Sequence, residues 1–158
     1  MKVRNATLSD LEDLVALWWE MQSDHFKYDL LFYGTKPEQL SKELAELYFK
    51  TMLKNKNHIV IVLDHENKAV GFIHCAITNR PPVLKEENSA DLVEVIITQQ
   101  FRGKGLFQRL CESLKSQLIS RNIRLCTLNV EKENIQAVKA YEKCGFKERQ
   151  KKMVLVLQ

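Results

Sequence analysis

The sequence predicts a mixed α/β fold in which strands and helices alternate along 158 residues. Short runs rich in Val and Ile are typical of buried strands, while longer segments repeat leucine every three or four residues, as on one face of a helix. Gly, Pro and Asn fall where one kind of segment gives way to the next. The hydrophobic fraction of 45% is ordinary for a globular protein, and we expect one domain over residues 1–158.

The first third of the chain predicts one strand followed by two helices. Residues 2–6 fit a short strand, and the hydroxyl and carboxylate side chains at residues 7–10 mark a helix start, because their oxygens accept the free amide hydrogens of a first turn. Apolar residues then recur at helical spacing until the pattern fades around residues 21–24. A second helix begins near Pro37, a residue favoured in the first turn, and continues towards Leu53.

The middle of the chain predicts three strands. Residues 58–63 are a β-branched run that indicates a strand buried on both faces. Residues 64–68 have the composition of a turn, so residues 70–78 are the returning strand of a hairpin. We expect a charged, proline-containing loop over residues 79–90 and a third long strand over residues 91–98.

The last third of the chain predicts two helices and two strands after a glycine-containing turn. The first of these helices repeats leucine at every fourth position, and the second is stopped by Gly145, in the usual terminating position. In order, the segments are a turn at 99–105, a helix through 106–118, a strand at 125–130, a helix at 134–144 and a strand at 153–157.

The charge and the cysteines argue against several classes of protein. A net charge of +4, with scattered cations and no recognition motif, argues against a nucleic-acid partner. The four cysteines have neither C-x-x-C nor zinc-site spacing, so we expect reduced thiols in or near the core and no metal. No segment has the apolar length of a signal peptide or a membrane span, so we expect a cytoplasmic protein without a membrane partner.

The turn at residues 100–105, Gln-Phe-Arg-Gly-Lys-Gly, is the first candidate binding motif. The first amides of a helix have no internal partner and the helix dipole adds positive charge there, so glycines at this place let the backbone approach phosphate oxygens. Arg102 and Lys104 add positive charge beside this candidate phosphate site. The alternative is an ordinary glycine-bearing turn with surface cations. Leu106 and Gln108 exclude the Walker and dinucleotide-binding forms of phosphate loop.

The second motif is N-x-x-A-x-x-x-Y-x-x-x-G-F over residues 134–146. On a helix Asn134 and Tyr141 share a face, and Ala137 beside them allows the close approach of a ligand or another chain. Each has an ordinary alternative. Asn134 could cap the helix, and Tyr141 could be a half-buried tyrosine whose hydroxyl points into water.

Together the two motifs resemble the GNAT superfamily of N-acetyltransferases, in their order, their separation and the helix–strand unit between them. Gln100-x-x-Gly103-x-Gly105 is similar to that family's acetyl-CoA pyrophosphate motif, although Phe107 stands where many relatives have a further glycine. The resemblance implies a mixed, mostly antiparallel sheet with helices on both faces. It also implies that the sheet splays into a V between the strands around 91–98 and 124–130, with acetyl-CoA in the opening.

The same resemblance implies which residues contact the cofactor and how the reaction proceeds. The cofactor-binding residues would be Val95, Ile97, Gln100, Arg102, Gly103, Lys104, Gly105, Phe107, Asn134 and Tyr141. A neutral amine would attack the thioester directly in a ternary complex, with Tyr141 giving a proton to the leaving thiolate.

An alkyl ammonium, with a pKa of about 10.4, must first lose a proton, so a general base is expected. Glu94, a carboxylate within an apolar strand, is the candidate. A chain of water molecules is an alternative base, and a solvent-facing or ion-paired carboxylate is the alternative interpretation of Glu94. Cys111 and Cys144 can both be explained as buried side chains of predicted helices, which argues against a reaction through an acyl-cysteine intermediate.

The sequence says least about the acceptor. Between the first two helices lies an aromatic and acidic segment that suits a cationic amine, with His25, Tyr28 and Asp29 as candidate contacts, although these residues could instead pack the loop on the core. We expect a small-molecule amine, with a protein or peptide amine and a non-catalytic acyl-CoA sensor as alternatives. The resemblance also implies a homodimer, to which residues 154–157 of the terminal strand would contribute an edge.

Overall fold

A computed structural model describes residues 1–157 of the chain. Within these residues, five strands and five helices form a fold of the predicted mixed α/β class, with short 3-10 turns at Leu8–Asp10 and Gln99–Phe101. In chain order they are β1 (Lys2–Asn5), α1 (Leu11–His25), α2 (Leu30–Tyr33), α3 (Glu38–Lys54), β2 (His58–His65), β3 (Lys68–Asn79), β4 (Asn88–Ile97), α4 (Leu106–Ser120), β5 (Cys126–Leu128) and α5 (Ile135–Lys143).

The strands form one sheet in the order β1-β2-β3-β4-β5. The first three pairs are antiparallel and only β4 and β5 run parallel, so the prediction of a mostly antiparallel sheet is confirmed. The β2–β3 hairpin closes through Glu66 and Asn67, which have φ angles of 54° and 66°. A turn of two residues with left-handed backbone angles has a twist that matches the right-handed twist of the flanking strands, so a tight hairpin forms here.

Helices cover both faces of the sheet, as predicted. On one face α1 and α3 pack against alternate strand residues such as Val60, Val62 and Phe72. On the other face α4 packs against the intervening residues, among them Ile61 and Ile73. The β-branched run in β2 is therefore buried from both sides, and period-two alternation divides its side chains between two cores.

The sheet opens between β4 and β5. The two strands pair only where Ala90, Asp91 and Leu92 face Cys126–Leu128, and no strand among the described residues pairs with the rest of β4 on that side. This confirms the predicted splay. The register between β3 and β4 also shifts, because His74 faces Glu94 whereas Cys75 faces Leu92. Val93 is thus the extra residue of a β-bulge at the point where the strands separate.

Two predicted boundaries and one predicted strand need correction. Residues 88–90, predicted as loop, already belong to β4, because the antiparallel partner β3 supplies backbone hydrogen bonds despite their polar sequence. The strand predicted at 125–130 is shortened to Cys126–Leu128. The strand predicted at residues 153–157 is wrong: this segment has no regular structure, and Leu155 is 81% exposed. An apolar run forms a strand only where a neighbouring strand presents backbone groups in register.

The helix α2 was not predicted, because it is a single short turn in an aromatic segment. All four cysteines carry free thiols, and Cys75, Cys111 and Cys144 are buried. Within residues 1–157 no helix has both the length and the apolar character needed to cross a membrane.

Candidate active site

The turn before α4 is shaped by two glycines. Gly103 and Gly105 have φ angles of 76° and 70°, in the left-handed region that L side chains rarely adopt. No atom lies within 4 Å of the place where a Cβ of Gly103 would stand, so the backbone angle and not crowding requires glycine there. Gly105 immediately precedes Leu106, the first residue of α4, so the turn directs the unpaired first amides of that helix outward.

The two cations of this turn have different surroundings. Arg102 donates from Nε to the carbonyl oxygen of Ile97 at 2.7 Å, and from Nη2 to Glu20 at 3.1 Å and to Asp24 at 3.3 Å. Its backbone N–H also has an internal acceptor, the carbonyl oxygen of Gln99. Arg102 therefore ties the turn to the end of α1. Lys104 makes no ion pair within residues 1–157, and its ammonium lies 5.2 Å from the ring centroid of Phe101.

Three further candidate residues lie in this turn or just before it: Gln100, Val95 and Ile97. Gln100 is exposed within the 3-10 turn that follows β4. Val95 and Ile97 are half-buried on one face of β4, where they pack towards the core that α4 covers. They lie beyond the bulge at Val93, in the part of β4 that faces the opening, so the structure brings them to the same edge as the glycine turn.

Asn134 caps the helix α5. Its Oδ1 accepts a hydrogen bond from the backbone N–H of Ala137 at 3.2 Å, which is the capping alternative weighed for this residue. Its side-chain nitrogen donates no hydrogen bond to the described residues. Capping fixes the orientation of the amide, so both hydrogens of its nitrogen remain available for hydrogen bonds.

Tyr141 has a buried ring and an accessible hydroxyl. The side chain is 9% exposed, and its ring meets Phe107 edge to face at 5.3 Å and Phe146 at 5.9 Å between centroids. The hydroxyl makes no hydrogen bond within residues 1–157, where no buried side-chain polar atom lacks a partner, so its oxygen reaches the surface. Burial raises the pKa of Tyr141 to about 12, which keeps the phenol protonated at neutral pH.

Glu94 lies on the opposite face of β4 from Val95. Its side chain is only 11% exposed, and its Oε2 is 2.9 Å from Nδ1 of His74, a fully buried residue of β3. The other oxygen, Oε1, makes no hydrogen bond to the described residues and is not buried, so it is the accessible atom of the carboxylate. Each alternative interpretation of Glu94 thus describes one of its two oxygens: Oε2 is paired, and the small exposed area of the side chain includes Oε1.

The partners of Glu94 were missed by sequence reasoning. Nε2 of His74 lies 2.8 Å from Nδ1 of His58 in β2, and the hydroxyl of Tyr48 in α3 lies 3.4 Å from Nδ1 of His74. Burial and then the neighbouring His74 lower the pKa of His58, while burial and then the charge of Glu94 raise the pKa of Tyr48. The sequence signal for this cluster was a histidine in each of two apolar strands that were predicted to pair, His58 and His74. Only the strand register shows that the two side chains are in contact.

The candidate acceptor segment forms an aromatic cluster next to an acid. The rings of His25 and Tyr33 stack at 5.0 Å, Tyr28 lies 6.0 Å from His25, and Tyr33 donates its hydroxyl hydrogen to Glu131. Burial lowers the pKa of His25, which favours the neutral ring. Asp29 caps α2 by accepting from the backbone N–H groups of Leu31 and Phe32, so one of its carboxylate oxygens serves the local fold.

The last turns of α1 and the segment that follows, together residues 20–33, span the mouth of the opening. At one end Glu20 accepts from the hydroxyl of Thr98, just after β4, and at the other end Tyr33 reaches Glu131, just after β5. Because β4 and β5 are parallel, their carboxyl ends lie at the same edge of the sheet. A shallow cavity of about 340 Å³ lies at the opposite edge, near Arg121, and contains none of the candidate residues. Within residues 1–157 no group of three or more His, Cys, Asp or Glu residues is placed to hold a metal ion.

Comparisons with known proteins find similarity to acetyltransferases. A model of the acetyltransferase (GNAT) family matches residues 13–146. An uncharacterized N-acetyltransferase of Methanocaldococcus jannaschii is 29% identical over 148 residues, which cover 94% of this chain and 61% of that relative. The spermidine N(1)-acetyltransferase of Vibrio cholerae is 29% identical over 118 residues, which cover 74% of this chain and 65% of that relative. The chain thus spans less than two thirds of the length of these two relatives.

Solved structures share the fold. A tetramutant of the BH1408 protein of Bacillus halodurans matches with a TM-score of 0.86 at 19% identity, over 99% of this chain and 100% of that one. A predicted acetyltransferase of Clostridium acetobutylicum, solved with acetyl-CoA, matches with a TM-score of 0.79 at 20% identity, over 98% and 95% of the two chains. At these identities the likeness establishes the fold alone.

Proposed function

The chain belongs to the acetyltransferase (GNAT) family, and from this membership we propose that it transfers the acetyl group of acetyl-CoA to the primary amine of a small molecule. One observation carries the proposal: the ring of Tyr141 packs against Phe107 in the first turn of α4, the helix that the glycine turn precedes, and its hydroxyl is not fully buried. Residues 1–157 build one sheet with a core on each face, which supports a single catalytic domain over residues 1–158.

The cofactor would lie in the opening between β4 and β5. Its pyrophosphate would accept hydrogen bonds from the outward amides at the start of α4, and Lys104 would add a positive charge. The pantetheine arm would pair with the backbone of β4 at Val95 and Ile97, on the side of β4 where no strand among the described residues pairs with it. The side-chain nitrogen of Asn134 would donate from the other wall.

Arg102 would act indirectly in cofactor binding. Its guanidinium is engaged by Glu20, Asp24 and the carbonyl oxygen of Ile97, so it would hold the turn in position and not contact the pyrophosphate. Gln100 and Phe107 would border the bound cofactor, Phe107 by supporting the ring of Tyr141.

The reaction would be direct attack of the amine nitrogen on the thioester carbonyl. Oε1 of Glu94 would accept the proton of the incoming ammonium, a backbone N–H near Val95 would polarise the carbonyl oxygen, and the hydroxyl of Tyr141 would face the departing thiolate. Holding both reactants in one opening supplies much of the rate. A cysteine route is disfavoured because burial, with the neighbouring Cys144, raises the pKa of Cys111 to about 12.

The surroundings of the opening favour a cationic, small acceptor. The carboxylates of Glu20, Asp24 and Glu131 lie along the segment that spans its mouth, beside the rings of His25 and Tyr28. Carboxylates and ring faces both attract an ammonium group. The relative from Vibrio cholerae is a spermidine acetyltransferase, which agrees with a small cationic amine. A protein or peptide amine is the second candidate, and we also propose a cytoplasmic homodimer.

Thermal unfolding with acetyl-CoA, CoA or ATP tests the cofactor site. A ligand at 100 times its dissociation constant stabilises a fold by about 2.7 kcal/mol, so acetyl-CoA and CoA should raise the melting temperature and ATP should not. A panel of polyamines, aminoglycosides and lysine peptides, followed by thiol release, then identifies the acceptor class. Absence of any shift at millimolar acetyl-CoA would refute the cofactor assignment, and acetylation of the peptides alone would refute the small-molecule acceptor.

Replacing Glu94 with glutamine tests the general base. The amide keeps the size of the side chain but does not take up a proton, so we expect the acidic limb of the pH–rate profile to disappear and the rate at neutral pH to fall by about 100-fold or more. Acetyl-CoA should stabilise the variant as it does the wild type. An unaltered pH–rate profile would show that Glu94 is not the base.

A further inference from the structure

A second set of titratable groups lies behind the proposed base, in the core between α3 and the sheet. His74 is fully buried, and both of its ring nitrogens are within hydrogen-bond distance of a partner. Nδ1 lies 2.9 Å from Oε2 of Glu94, and Nε2 lies 2.8 Å from Nδ1 of His58. The other titratable side chain that faces this ring is Tyr48 of α3, and the buried side chains that α1 places in this core are apolar.

We propose that His74 is a positioning residue for the acetyl transfer: it donates Nδ1–H to Oε2 of Glu94 and so leaves Oε1 to accept the proton of the amine, while His58 holds His74 in the tautomer that makes this donation. The inference rests on the proposed function of Glu94 as the base. It adds two residues, His74 and His58, that contact neither the cofactor nor the acceptor.

The direction of donation follows from the chemistry of the groups. An ionised carboxylate only accepts hydrogen bonds, so the imidazole nitrogen at 2.9 Å must carry the hydrogen. A neutral imidazole has one N–H, so Nε2 of His74 then accepts, and Nδ1 of His58 must donate to it. The hydroxyl of Tyr48, at 3.4 Å from the same Nδ1, is too distant to compete with the carboxylate.

Burial of His74 strengthens its hydrogen bond to Glu94 and so fixes the position of the carboxylate. A hydrogen bond inside the protein is electrostatically stronger than one in water, and an unpaired polar group there is costly, so the ring and the carboxylate are held in one geometry. Because Oε2 is engaged and Oε1 is not fully buried, the carboxylate keeps one oxygen free to accept a proton. The histidines therefore set the orientation of the base.

Paired substitutions of His74 test the proposal. His74→Leu removes the donor and fills the space, whereas His74→Asn keeps an N–H donor at the same number of bonds from the backbone as Nδ1. We expect His74→Leu to lower kcat/KM for the amine about 10- to 100-fold, the loss typical of one hydrogen bond to a charged group, and to move the acidic limb of the pH–rate profile to higher pH. The KM for acetyl-CoA should not change, and His74→Asn should recover most of the rate and of the wild-type profile.

Two outcomes of these kinetics would overturn the proposal. One is a folded His74→Leu variant, judged by thermal unfolding, with the wild-type rate and pH profile. The other is a folded His74→Asn variant no better than the leucine variant, which would show that the donor atom is irrelevant. The acetyl-CoA-dependent thermal shift of each variant reports whether the cofactor site is intact.

A second measurement does not depend on activity. Nitrogen-15 NMR of the imidazole groups in the wild-type protein reports which ring nitrogen of His74 carries hydrogen. A hydrogen on Nδ1 alone is expected, and a hydrogen on Nε2 would overturn the chain from His58 to Glu94. If the wild-type protein acetylates no amine, the proposed function fails, while this measurement still decides whether the hydrogen-bond chain exists.

Discussion

Replacement of Tyr141 by phenylalanine separates two ways in which this residue could assist the reaction. The ring is buried between Phe107 and Phe146, and the hydroxyl makes no hydrogen bond within residues 1–157. Phenylalanine keeps the ring contacts and removes only the hydroxyl, so we expect the free energy of unfolding to stay within about 0.5 kcal/mol of the wild type. A change in rate is then assigned to the hydroxyl and not to packing.

The size of the loss follows from the pKa of the phenol. Burial raises the pKa of Tyr141 to about 12, whereas a thiol such as that of CoA has a pKa of about 8.5 by analogy with cysteine. Complete proton transfer from the phenol to the thiolate is therefore uphill by roughly 3.5 pKa units, or about 5 kcal/mol. Donation of a hydrogen bond to the developing thiolate is the cheaper role, and such bonds to charged groups contribute about 1.5–3 kcal/mol.

We therefore expect Tyr141→Phe to lower kcat by about 10- to 100-fold, below the loss of up to about 10,000-fold expected for a full general acid. The assay is thiol release at saturating acetyl-CoA and amine, from pH 6 to 9. Because the pKa of the phenol is raised, it stays protonated throughout this range, and the ratio of the two rates should not depend on pH. An unchanged kcat would remove the hydroxyl from the chemistry, and a loss near 10,000-fold in a folded variant would refute the hydrogen-bond role.

Two further predictions concern the acid stability of the fold and the glycine turn. Asp10 is 4% exposed and accepts two hydrogen bonds of 2.8 Å from Arg4, whose guanidinium lowers the pKa of this carboxyl. A lowered pKa stabilises the fold fully above the unfolded value of about 3.9, and this stabilisation is lost as the pH falls through the folded value. Asp10→Asn should therefore cost about 1–3 kcal/mol at pH 7 and flatten the loss of stability below pH 4, as urea unfolding would show; an equally steep acid loss in the variant would contradict this. Gly105→Ala places a side chain at a φ of 70°, so it should cost about 1–2 kcal/mol and weaken the binding of acetyl-CoA by calorimetry, whereas a variant with wild-type affinity would exclude the turn from the cofactor site.

The features that the sequence predicted best depend on neighbouring residues only. Gly103 and Gly105 between a strand and a helix, the Asn134–Tyr141 helix and its stop at Gly145 are all set by local spacing. Alternation within a strand also placed Val95 and Ile97 on one face. Such features are readable because the physical cause, a backbone angle or a helical period, lies within a few residues of the effect.

The features that the sequence did not predict depend on partners far away in the chain. The ion pairs of Arg102 with Glu20 and Asp24 join residues that lie about 80 positions apart in the chain. The pairing of His58 with His74 requires the register of β2 and β3. The terminal run at residues 153–157 has the apolar composition of a strand, but it lacks a strand partner within residues 1–157.

The bulge at Val93 connects the missed features with the proposed chemistry. Strict alternation would put Leu92 and Glu94 on the same face of β4, whereas in the structure Leu92 belongs to the core under α4 and Glu94 pairs with His74 on the other face. The extra residue changes the phase of the strand between these two positions. After the bulge, Val95 faces the core under α4 and Glu94 faces the side of α1 and α3. In the proposed reaction the acetyl donor and the base would therefore lie on opposite faces of β4. This arrangement needs the register of three strands, which composition and periodicity do not encode.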